Sequence, residues 1–168
     1  MTTPEQAPGD LDLAVAVQTL LARQQVTDTL HEYSRHVDTC DVDALVGIFT
    51  EDAVFDYGHG RVFTGRKTLD GLFREVLAKY AATNHHCSTT TFLALDAETA
   101  ETITYVYAFH DSGPGGQHVH VWGRYEDRLV READRWRIAQ RRVRVAGVET
   151  GDSQPVPERF ERYQRAVL

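Results

Sequence analysis

FTEDAVFDYGHGRVFTG (49–65) decides how the rest of the chain is read, because it is a strand-like pair set between two helical stretches. AVFDY reads as a short strand. Gly58 and Gly60 then mark a turn, and RVFTG returns as a second strand. Thr50, Glu51 and Asp52 end the preceding short helix, VDALVGIF (42–49), which Asp41 is placed to cap. Phe49, Val54 and Phe55 are the expected core residues of this stretch.

Working outward toward the N-terminus, Leu11, Leu13, Val15, Val17, Leu20, Leu21, Val26, Leu30 and Tyr33 form an approximately helical apolar stripe that predicts a long first helix closing at Asp38. On the other side, KTLDGLFREVLAKY places Leu69, Leu72, Phe73, Val76, Leu77 and Tyr80 at helical spacing and predicts a third helix. From Thr83 onward the period falls toward two. Four strands are expected near 83–95, 100–110, 117–131 and 135–146, joined as antiparallel hairpins through DAE, DSGPGG and READ. Helices followed by a long antiparallel sheet imply an α+β domain whose curled sheet wraps the N-terminal helices and leaves an internal pocket. The expected boundaries are a disordered lead over 1–10, the domain over 11–146, and a C-terminal extension over 147–168 in which PERFERYQRAVL forms a short helix.

A chain of 168 residues is long enough for one domain that buries a core and still surrounds a small cavity. Its formal charge of −7, with no Lys/Arg block interleaved with aromatics, argues against a nucleic-acid groove or an anionic membrane surface. A neutral or small molecule is the expected partner. Cys40 and Cys87 form no CxxC pair and no disulfide framework, which suits a reducing cytoplasm. No run has the length or composition of a signal peptide or a membrane span.

Three residues concentrate acid–base chemistry at element ends, and a fourth adds a charge within a strand. Asp38 closes the first helix, His85 opens the first long strand, His110 ends the next, and Arg141 lies in the last. A carboxylate beside an imidazole makes a general base. Each residue also has a plain structural role. Asp38 can cap the following helix or pair with Arg35, and His110 can bond to the Ser112–Gly116 turn. His86 competes with His85, and Arg142 with Arg141, since neighbouring strand residues face opposite ways. The tyrosines Tyr33 and Tyr57 suit a pocket wall with a polar tip. His118 and His120 alternate on one strand face, but five residues separate His120 from Glu126, which does not match a cupin-like metal site, so no metal is expected.

The order helix–helix–FTEDAVFDYG–GRVFTG–helix–strands, ending in GRYEDRLVREADRWRIAQR, resembles the SnoaL-like branch of the nuclear-transport-factor-2-like superfamily over roughly residues 11 to 146. That resemblance implies a cone-shaped α+β barrel. The site pattern is most similar to the scytalone dehydratase, bile-acid 7α-dehydratase and hexachlorocyclohexane dehydrochlorinase families, which eliminate water or HCl without a cofactor through an Asp–His dyad. By that likeness Asp38 and His85 are the dyad and His110 a second catalytic histidine. Arg141 resembles the arginine of the bile-acid and dehydrochlorinase sites, Tyr33 the bile-acid enzyme's tyrosine, and Tyr57 a carbonyl-polarising tyrosine. The implied function is a cofactor-independent lyase acting on a cyclic hydroxy-ketone or similar molecule. A ketosteroid-isomerase-like or polyketide-cyclase-like enzyme, or a noncatalytic binding or accessory protein, is the alternative. The family also implies a homo-oligomer, trimer or dimer, joined through an exposed apolar sheet face.

Overall fold

The computed structural model describes residues 12–161 and 163–168. The lead expected over 1–10, and Leu11 of the apolar stripe, lie outside the described residues. Helix α1 (Leu13–Thr39) begins where the Asp12 side chain accepts from the amides of Ala14 and Val15, and it stops at Cys40, whose φ of 61° is left-handed. Val26, Leu30, Tyr33 and Val37 of α1 are buried at helical spacing. The earlier part of the expected stripe is not core: Leu13, Val15, Val17, Leu20 and Leu21 are exposed. Residues 13, 15 and 17 are spaced by two, which carries them about 200° around a helix from one to the next, so they cannot share one buried face.

Asp41 caps α2 (Val42–Gly47) by accepting from the Ala44 amide. The helix is shorter than VDALVGIF, because Phe49 opens β1 (Phe49–Asp56) and pairs beside Ile138. Phe49 and Phe55 are fully buried as expected, whereas Val54 is half-buried and Ala53 takes its place in the core. β2 (Val62–Thr64) folds back on β1, and Gly65, at φ 86°, starts α3 (Arg66–Leu77). Leu69, Leu72, Phe73 and Leu77 bury one face of α3.

The remaining chain is β3 (Ala82–Leu95), β4 (Thr99–Asp111), β5 (Gln117–Glu132) and β6 (Arg135–Asp152). The sheet order is β2-β1-β6-β5-β4-β3, antiparallel except for the β1–β6 pair. Register shifts interrupt β3–β4 and β5–β6, and such bulges add local bend and twist to long strands. One lies between Trp122 and Gly123, where a Cβ on Gly123 would stand 2.4 Å from the Arg144 carbonyl oxygen. The sheet curls around α1 and α3 without closing. Its concave side holds Tyr33, Phe49, Phe55, Phe73, Leu129 and Ile138 in one buried cluster.

β6 runs to Asp152, six residues past the expected end of the strand, so the C-terminal extension begins inside the sheet. The expected helix over PERFERYQRAVL is not formed among the described residues. Pro157 starts a single turn closed by the Phe160 amide, and farther on the Ala166 amide bonds to the Thr39 carbonyl at the end of α1. The segment satisfies its backbone against another element instead of within itself.

Candidate functional site

The last turn of α1 and the start of β3 meet at one end of the barrel. Asp38 Oδ1 lies 2.7 Å from His85 Nδ1, and Asp38 Oδ2 accepts from the His85 backbone amide at 2.8 Å. Both oxygens of one carboxylate therefore hold one residue. The His85 side chain is 5 % exposed and that of Asp38 14 %. Burial alone would raise the Asp38 carboxyl, but the His85 ring bond, the charge of that ring and the His85 amide outweigh it and hold the group below the ordinary aspartate range. An ionised carboxylate only accepts, so Nδ1 of His85 carries the hydrogen and Nε2 is the basic nitrogen.

The strand register settles which histidine and which arginine face inward. His85 pairs with Ala108, whose side is buried, while His86 pairs with Tyr107 on the outer face. His110 packs its ring edge-to-face on His85 at 5.1 Å and lies 4.9 Å from Tyr80. The two imidazoles touch instead of facing each other across a wide gap. Burial pushes His110 down to about 4, with the neighbouring His85 charge acting in the same direction. It is neutral at pH 7.

Arg141 is fully buried and Arg142 lies on the other face. Its Nε and Nη2 each donate to Asp127 at 2.8 Å, in a two-pronged bond between residues directly opposite on β5 and β6. The guanidinium lies 4.1 Å from the centre of the Tyr33 ring and 4.2 Å from that of Tyr125. Nη1 is buried with no hydrogen-bond partner. Burial would lower the arginine, but the Asp127 charge more than offsets it and raises it. Burial pushes Tyr33 up to about 12 against the opposing Arg141 charge, and it raises Tyr57 as well. Tyr33 lies edge-on to His85, at 6.5 Å between ring centres. Tyr57 packs on Phe55 and Phe63, with the Arg61 guanidinium over its ring.

Asp127, Tyr125 and Ser34 join this interior without having been singled out in the sequence, and Cys87 joins it on the strand parity it shares with His85. Cys87 Sγ and Ser34 Oγ are 3.1 Å apart, and burial raises the Cys87 thiol. Inward parity of Tyr125 and Asp127 on β5 was legible as a two-residue spacing, but the ion pair with Arg141 needed the β5–β6 register. His118 and His120 stand on the outer face beside Phe109, Tyr107 and Trp122. Among the described residues no group of three or more His, Cys, Asp or Glu side chains is arranged to hold a metal ion. Two surface clefts lie away from the dyad: one of about 540 Å³ between α1, α2 and the β5–β6 turn, and one of about 530 Å³ on the outer sheet face.

The SnoaL-like domain pattern matches residues 18–142, which is most of the chain and includes Asp38, His85, His110 and Arg141. The chain belongs to the SnoaL-like domain family. Its fold is the family's cone-shaped α+β barrel, with a curled, unclosed sheet around the helices. A provisionally named scytalone dehydratase from Novosphingobium aromaticivorans is similar at 21% identity and a TM-score of 0.75, over 84% of this chain and 93% of that one. A hexachlorocyclohexane dehydrochlorinase of type 2 is similar at 18% identity and a TM-score of 0.77, over 85% and 99%. A provisionally named aromatic ring hydroxylase from Novosphingobium aromaticivorans reaches 27% identity and a TM-score of 0.73, over 79% and 94%. No curated protein matches this SnoaL-like chain in sequence. No helix among the described residues is long and apolar enough to cross a membrane.

Proposed function

We propose that this SnoaL-like chain is a cofactor-independent lyase of the dehydratase type, acting on a small, largely apolar cyclic hydroxy-ketone or similar molecule. The observation that carries the reading is the two-oxygen grip of Asp38 on His85, because it fixes one tautomer and leaves Nε2 as the basic nitrogen. His85 takes a proton from the carbon next to a carbonyl, and Asp38 stabilises the imidazolium that results. The enolate expels hydroxide as the carbon–oxygen bond breaks, and the imidazolium returns its proton to give water and an enone. A tyrosine held protonated by burial, Tyr33 or Tyr57, is the donor for the carbonyl oxygen where charge develops. Asp127 cancels the Arg141 charge, so the interior favours a neutral substrate, with Arg141 Nη1 left as a hydrogen-bond donor. This differs from an arginine free to bind an anionic leaving group. The likeness to a dehydratase and a dehydrochlorinase supports the reading.

One observation favours a second reading. A His110 that stays neutral down to about pH 4 is a poor acid for a departing hydroxyl. An isomerase or polyketide-cyclase reaction needs no leaving-group acid and uses the same base and carbonyl donor. The two separate in one experiment. Cyclic β-hydroxy-ketones and unconjugated enones are incubated with the protein, and conjugated enone is followed by ultraviolet absorbance and mass. Loss of 18 mass units marks elimination, and an unchanged mass marks isomerisation. If neither class reacts, and the wild type matches a His85→Ala control, the protein has a binding or accessory role.

The outer sheet face exposes Tyr105 and Trp122, apolar groups that fit a second copy of the chain as a dimer or trimer. Cys40 and Cys87 are free thiols, in keeping with a reducing, cytoplasmic setting.

A further inference from the structure

Helix α1 ends immediately beside the dyad, and the carbonyls of its last turn have no partner within the helix. The C-terminal segment supplies partners. Arg165 Nε donates to the Asp38 carbonyl at 3.2 Å, and the adjacent Ala166 amide donates to the Thr39 carbonyl at 2.8 Å. The same guanidinium donates through Nη1 to the Tyr80 carbonyl in the α3–β3 turn, and through Nη2 to Cys40 Sγ at 3.4 Å. One side chain thus ties the chain's end to the end of α1 and to the turn that carries the ring packed on His110. Arginine suits this position because its planar fork can serve three acceptors at once and its charge faces the negative end of a 27-residue helix.

We propose that Arg165 is a positioning residue of the candidate site, which fixes the Asp38 backbone so that its carboxylate stays on His85 and holds Tyr80 and His110 in place beside the dyad. The inference rests on the dyad being the working site, but not on which reaction it performs. Arg165 also acts at a distance. The groups around the His110 ring are His85 from β3, Asp38 from α1, Tyr80 from the α3–β3 turn, Arg165 from the C-terminal segment and the neighbouring Asp111 on β4. Positive charge from His85 and Arg165 disfavours its protonation, and Asp38 opposes them.

The test uses the full chain as wild type, Arg165→Gln and Arg165→Lys, with imidazole titrations by nuclear magnetic resonance and amide exchange at His85. In Arg165→Gln, the His110 midpoint should rise by about half a unit or more, and the His85 amide should exchange about tenfold faster as Asp38 Oδ2 leaves it. Arg165→Lys, which keeps the charge, should restore the His110 midpoint. The amides of β5 report whether the fold is otherwise intact. Identical His110 titration and His85 exchange in all three proteins would overturn the proposal and leave Arg165 as a tether for the tail alone. Neither readout needs a substrate, so failure to find elimination chemistry does not decide this test, and failure here does not decide the reaction.

Discussion

A carboxylate that accepts from both the ring and the backbone amide of one histidine sets the orientation and the tautomer of that ring together. Asp38→Asn keeps the size of the group but lets an amide face Nδ1. Under the lyase reading turnover should fall by about 10²- to 10⁴-fold while the unfolding midpoint stays close to wild type. Steady-state kinetics beside a urea titration measures both, and comparable turnover would remove Asp38 from the mechanism. His85→Ala should be far more damaging to turnover than His86→Ala, because His86 points to the outer face. The buried histidine also sets a pH dependence. Its depressed folded value, about 4 against about 6.5 when unfolded, means the unfolded chain binds its proton first as pH falls. His110 therefore contributes its stability in full above about pH 6.5 and loses it progressively toward pH 4. The loss is at most on the order of 3 kcal/mol. Urea unfolding at pH 7 and pH 4.5 should differ less in His110→Phe than in wild type. Asp38, whose value is lowered, adds its own contribution above the unfolded aspartate range and loses it at more acidic pH.

The elements differ in how much of their apolar surface the fold uses. The second half of α1 is core, and the first half carries exposed leucines and valines. Leu30→Ala should cost about 2–5 kcal/mol through loss of burial and an unfilled cavity, whereas Leu20→Ala should cost less than about 0.5 kcal/mol. Equal losses in denaturant unfolding would mean that something covers the first half in solution. In the sheet, Gly123→Ala must displace the Arg144 carbonyl or its strand, since the atom its Cβ would meet belongs to backbone. A clear drop in unfolding midpoint is expected. These distinctions were only partly legible. Helical spacing in Val26, Leu30 and Tyr33 pointed correctly to a buried face, while the residues before them were apolar without sharing one. The strands of the second half were legible within a few residues, because alternation and glycine-rich turns are local signals. The length of β6 was not, because its last residues are held by pairing with the start of β5 more than by their own composition.

For the whole molecule, the buried Arg141–Asp127 pair joins β5 to β6 beneath the candidate site. Taking away one partner strands the other charge in the interior, so Asp127→Leu should destabilise by about 3–5 kcal/mol. Arg141→Leu combined with Asp127→Leu should recover much of that loss, and a double-mutant cycle in urea measures it. The outer face gives a separate prediction. If a second copy covers Tyr105 and Trp122, Trp122→Lys should lower the mass seen by sedimentation, and an unchanged mass would place the contact elsewhere.

By itself the sequence determined the order of helices and strands, the capping aspartate of α2 and the turn at Gly58, and the chemical types gathered at element ends. Each of these follows from contacts within a few residues. Only the tertiary structure decided that His85 and not His86 meets Asp38, since a bulged strand's inward parity depends on its neighbour's register. It likewise decided that Arg141 is neutralised by Asp127, and that the C-terminal segment stays unhelical so that Arg165 can reach the end of α1. Those outcomes rest on pairings 14 to 127 residues apart in the chain. No local pattern encodes such distances, and burial of the shared core selects them.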